Sequence, residues 1–112
     1  MFRRLLARLR GRRPLRLTLY TRADCPLCDE MKAELARVRG GPAFELEVLD
    51  IGGDPALEAR HGLSIPVLAI EGRPAFKGRL TAGDLRAKLA RRAQEIAAEA
   101  SPARGGRGES RP

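Results

Sequence analysis

The chain has 112 residues, enough for one domain, with 22 Lys and Arg against 14 Asp and Glu and a formal net charge of +8. The excess lies at the ends: residues 1–16 carry +7, residues 101–112 carry +2 and residues 17–100 carry −1. A near-neutral body lacks the basic face of a nucleic-acid-binding domain, no run of roughly 18 apolar residues could span a membrane, and two Cys do not make a disulfide scaffold.

Residues 2–13 place Phe2, Leu5, Leu6 and Leu9 on one helical face, flanked by arginines. Residues 1–14 read as a basic amphipathic extension that either rests on the domain or lies on an anionic membrane surface. The segment has the Arg-rich, acid-free character of an organellar transit peptide but lacks Ser. With no long apolar stretch and no small-residue cleavage site, it is not a secretory signal, and the cytoplasm is the expected location.

A domain is expected over residues 15–98. Leu15, Leu17 and Leu19 alternate with Arg16, Thr18 and Tyr20, the spacing of a strand. A turn over Thr21–Asp24 leads to Cys25-Pro26-Leu27-Cys28. From Pro26 the apolar period changes: Leu27, Met31, Leu35 and Val38 form a helical stripe. Pro26 suits the first turn, and Gly40-Gly41-Pro42 marks the stop. Phe44, Leu46 and Val48 alternate with Glu45 and Glu47, a second strand. Asp54-Pro55 opens a short helix that ends near Gly62.

Val67-Leu68-Ala69-Ile70 is a continuous apolar run suited to a central strand. Glu71-Gly72-Arg73 turns the chain into an edge strand over Pro74–Lys77, where Pro is tolerated. Thr81 and Asp84 have the spacing of a capping box, with Leu80 and Leu85 as its hydrophobic staple. Leu85, Leu89 and Ile96 continue the stripe of a last helix. The order β-α-β-α-β-β-α predicts an α/β fold, a four-stranded mixed sheet flanked by helices. Residues 99–112 lack large apolar side chains and are expected to be disordered.

Cys25 and Cys28 sit where a strand hands over to a helix. The spacing brings both sulfurs to one side of the first turn, where free N–H groups and the helix dipole favour thiolate. Cys25, ahead of the helix, is the expected exposed nucleophile with a pKa below the free value of ~8.5, and Cys28 the more buried resolving thiol. Arg22 favours the thiolate; Asp24, Asp29 and Glu30 oppose it. A structural zinc site needs about four ligands, and Cys25, Cys28 and His61 are too few, so no metal is expected. His61 is expected to be structural or exposed near a helix C-terminus, where positive charge is favourable. Tyr20 is read as packing with its strand.

Leu17-Thr-Leu-Tyr-Thr-Arg-Ala-Asp-Cys-Pro-Leu-Cys-Asp-Glu30 resembles the active-site segment of glutaredoxins, nearest to small bacterial glutaredoxin-like proteins with a Cys-x-Leu-Cys-Asp motif. Ser64-Ile-Pro-Val-Leu68 resembles that family's cis-proline segment, and the likeness runs from about Leu15 to Leu89. It implies a minimal thioredoxin-like fold and dithiol thiol–disulfide oxidoreductase activity in electron transport, with catalytic Cys25 and Cys28. It also implies a substrate surface from Arg22, Pro26, Ile65 and Pro66, with Ile65 pairing its backbone with the substrate. The implied substrate is a disulfide in a protein or small molecule. The expected donor is glutathione, a thioredoxin-reductase-type flavoprotein disulfide reductase or another protein thiol, with no bound cofactor and a monomeric chain. Two departures bear on glutathione: Phe76-Lys-Gly-Arg-Leu80 holds one glycine where glutathione users usually carry a Gly-Gly pair, and Leu27 replaces the usual aromatic. Arg22, Lys77 and Arg79 remain as cations for an anionic thiol. The rival reading is a non-enzymatic thioredoxin-fold adaptor that docks a partner or membrane through its basic termini.

Overall fold

The computed structural model describes residues 13–99, so the amphipathic segment expected over residues 2–13 and the disordered tail expected over residues 99–112 lie, but for one residue each, outside the described residues. Four strands and three helices follow one another as β1 (Leu15–Thr21), α1 (Pro26–Arg37), β2 (Phe44–Asp50), α2 (Pro55–His61), β3 (Val67–Ile70), β4 (Arg73–Lys77) and α3 (Ala82–Glu99). The sheet order is β2-β1-β3-β4. β1 pairs with β2 in parallel and with β3 antiparallel, and β3 pairs antiparallel with β4. This is the mixed sheet of a minimal thioredoxin-like fold.

The alternation in β1 sorts its side chains. Leu15, Leu17 and Leu19 are buried, and with Met31 and Leu35 of α1, Leu68 and Ile70 of β3, and Leu80, Leu85 and Leu89 they form one core. α1 and α3 therefore share that face of the sheet. Tyr20 points to the other face, where its ring stacks on His61 of α2. β3 lies inside the sheet and is buried along its whole length, which explains its unbroken apolar run.

The second strand departs from its pattern. Leu46 and Val48 stand beside Leu17 and Leu19 in the parallel register, yet they are 39% and 45% exposed. β2 is an edge strand, and alternation alone does not say whether a helix covers it.

The helix ends follow local chemistry. Asp54 accepts the N–H groups of Ala56 and Leu57, capping α2. Thr81 Oγ1 accepts the Asp84 N–H, the expected half of a capping box. A carboxylate from α1, Glu34, accepts the Ala82 N–H at 2.9 Å and completes the cap of α3. α1 ends earlier than its glycines suggest, because Val38 turns extended and closes the helix before Gly40. Glu71 and Gly72, both at positive φ, make the tight β3–β4 turn.

Leu85 and Leu89 are fully buried in the shared core. Leu85→Ala or Leu89→Ala should each cost about 2–5 kcal/mol of stability, read as a lower urea midpoint. Leu63→Ala, at a fully exposed position, should stay within about 0.5 kcal/mol of the unaltered chain.

Candidate functional site

β1 ends at Thr21 and β3 begins at Val67, and the antiparallel register puts these two points at one end of the sheet. The loops leaving them carry the cysteines and the proline segment. Asp24 takes a positive φ of 57°, which Asp tolerates better than most residues, and the chain then enters α1. Cys25 is the N-cap of that helix. Its Sγ accepts the Cys28 N–H at 3.0 Å, the job an N-cap hydroxyl or carboxylate usually does. Pro26 occupies the first helical position and is exposed. Cys25 is half-buried and Cys28 only 1% exposed, the asymmetry expected of an attacking and a resolving thiol. The two form a disulfide, with Cα atoms 5.2 Å apart.

The Ile65–Pro66 peptide is cis. Pro66 is fully buried, and its carbonyl oxygen accepts the Gly78 N–H at 2.8 Å, tying the segment to the end of β4. Ile65 is half-buried and lies just before β3, as Arg22 lies just after β1 at the same end of the sheet. Among the described residues, no hydrogen bond engages its backbone N–H or C=O. The fold thus gathers Arg22, Cys25, Pro26, Cys28, Ile65 and Pro66 at one end of the sheet.

Arg22 does not stand free. Its guanidinium donates to Glu58 of α2 at 2.5 Å, both side chains being a little over one third exposed. The pair lies against Gly62, where a Cβ would come 2.6 Å from the Glu58 carbonyl oxygen, 2.8 Å from its carboxylate and 3.3 Å from Arg22 Nη2. Glycine at the α2 C-cap is what lets the ion pair close. The bond joins residues 36 positions apart, so no local spacing rule finds Glu58. Arg79, after β4, donates to Glu30 of α1 at 3.0 Å, with both partners well exposed.

His61, expected to be structural or exposed, takes the structural role. The dipole of a short helix favours a charged imidazole there. The ring is instead 6% exposed and stacked on Tyr20 at 4.2 Å between centroids. Burial lowers its pKa below 6.5, and repulsion from Arg60 and Lys77 pushes the same way. Desolvation is the larger cause, and it disfavours the charged imidazole in the folded chain. Among the described residues no cluster of three or more His, Cys, Asp or Glu could hold a metal ion.

A cysteine pair capping the first helix, at the same end of a four-stranded mixed sheet as a cis-proline segment, defines a thioredoxin-fold protein of glutaredoxin type. The model of the glutaredoxin-like domain family (DUF836) matches residues 16–90. The chain belongs to that family. Uncharacterized proteins of Mycobacterium tuberculosis and Mycobacterium bovis are 31% identical over 78 residues, covering 65% of this chain and 80% of theirs. The X-ray structure of a structural-genomics target protein from X. campestris is 42% identical, with a TM-score of 0.57 over 65% of this chain and 93% of that one.

The buried imidazole makes stability depend on pH. Below the ordinary value of 6.5 the unfolded chain takes up a proton that the folded ring resists, so stability falls as pH drops through that value. Between about pH 7.5 and pH 5.5, the urea midpoint should fall further for the unaltered chain than for His61→Phe, which keeps an aromatic ring on Tyr20.

Proposed function

We propose that the chain is a dithiol thiol–disulfide oxidoreductase, acting in the cytoplasm on disulfides of proteins or small molecules. The observation that carries this reading is the placement of Cys25: half-buried at the α1 N-terminus, its sulfur accepting the Cys28 N–H. That N–H and the positive end of the helix favour a thiolate on Cys25 in the reduced protein.

The chemistry then runs in two exchanges. The Cys25 thiolate attacks one sulfur of a substrate disulfide, forming a mixed disulfide and expelling the other substrate sulfur as thiolate. Cys28, deprotonated, attacks Cys25 Sγ, which breaks the mixed bond, releases the second substrate thiolate and closes the Cys25–Cys28 disulfide. Two electrons pass to the substrate and the released thiolates take up two protons. A dithiol donor returns both to the pair in a further cycle. The unpaired Ile65 backbone is suited to hold an extended substrate segment beside the sulfurs by main-chain hydrogen bonds, as a strand is added to a sheet edge. Burial of Cys28 keeps it from external disulfides and leaves it free to resolve the mixed one.

Cys25→Ser should abolish disulfide reduction. Cys28→Ser should accumulate a mixed disulfide on Cys25, seen as a mass increase that dithiothreitol removes. Full activity in both variants would overturn the proposal.

A further inference from the structure

Resting on that reading, we infer that the Cys25–Cys28 disulfide is reduced by the dithiol of a protein and not by glutathione, because the chain's own carboxylates already hold Arg22, Arg79 and the Ala82 N–H, leaving Lys77 as the one cation near the site without an ion pair among the described residues. Glutathione carries two carboxylates and one ammonium. A small anion of this kind is held by cations and by free N–H groups at helix ends.

Two arginines and two helix N–H groups near the cysteines have internal partners. Arg22, three residues before Cys25, is bound by Glu58 and seated on Gly62. Arg79 is bound by Glu30. The Ala82 N–H at the start of α3 is taken by Glu34 and the Asp84 N–H by Thr81. Lys77, exposed at the end of β4, forms no ion pair among the described residues. Magnitudes rank these contacts. The exposed Arg79–Glu30 pair contributes little and opens readily. The Arg22–Glu58 pair is less exposed and packs against Gly62, so it is the better held of the two.

Shape and charge of the adjoining cleft agree. A cavity of about 520 Å³ runs from Gly78, next to the cis-proline segment, between α1 and the start of α3. Its charged lining is Glu30, Glu34 and Asp84 against Arg37 and Arg79, with both arginines already paired to Glu34 and Glu30. The surplus is one negative charge, which repels a net anion. The segment beside Pro66 offers a polypeptide what the cleft denies an anion: the free Ile65 backbone and the fully exposed Leu63 side chain. In the inferred step, a donor protein's thiolate attacks Cys25 Sγ and Cys28 leaves as thiolate. The donor's second thiol then attacks the mixed disulfide, so the donor ends as a disulfide and Cys25 and Cys28 as a dithiol.

The test starts from the oxidised full-length chain. It is exposed to glutathione or to reduced thioredoxin kept reduced by its flavoprotein reductase, at equal thiol concentration, then acid-quenched and alkylated, and the dithiol fraction is read by mass. Thioredoxin should open the disulfide at least about tenfold faster than glutathione, the factor that 1.4 kcal/mol of differential binding supplies. Glu58→Gln, which releases the charge on Arg22, should raise the glutathione rate about tenfold, the size of one charge-assisted contact, and leave far-ultraviolet circular dichroism unchanged. A glutathione rate matching thioredoxin in the unaltered chain, or unmoved by Glu58→Gln, overturns this inference and leaves the oxidoreductase reading standing. A disulfide opened by neither reductant overturns both.

Discussion

β1 is the constraint on which the rest of the molecule depends. It lies inside the sheet, parallel to β2 and antiparallel to β3, and its leucines at 15, 17 and 19 are almost wholly removed from water. Burying that stripe requires α1 and α3 to cover one face together. Once α1 must lie there, its N-terminus has to begin just past the end of β1. The cysteines stand at that junction. The difference in their burial, their hydrogen bond and their place at the same end of the sheet as the proline segment follow from where the core puts the first helix.

The opposite face is organised by a smaller contact with the same logic. Tyr20, the last residue of β1 pointing away from the main core, stacks on His61 and holds the end of α2 against the sheet. From there the chain passes through Gly62 and Leu63 into the cis-proline segment. The Arg22–Glu58 pair closes over Gly62 and joins the cysteine loop to the helix that precedes that segment. A stacked ring pair and an ion pair thus fix the approach of the two loops that make the site. Both need a small or flat neighbour, which the glycine and the imidazole supply.

Electrostatics near the cysteines is set by pairing more than by composition. Arginines at 22, 37 and 79 suggest a positive site when counted, yet each has a carboxylate partner. Glu34 serves twice, as cap of α3 and as partner of Arg37.

Local order was legible in the sequence because it depends on short-range rules. Period two in β1, period near 3.6 in α1, Asp54-Pro55, and Thr81 with Asp84 each specify an element or its end without reference to the rest of the chain. The cysteine pair at a strand–helix boundary was legible for the same reason, as was the difference in burial between Cys25 and Cys28. Tertiary structure alone decided what depends on residues far apart in the chain. It placed Leu46 and Val48 on an uncovered edge, buried the His61 ring and so lowered its pKa, and gave Arg22 a partner 36 residues away. Burial and ion pairing are properties of surfaces brought together by the core, and a single chain segment carries no record of what will cover it.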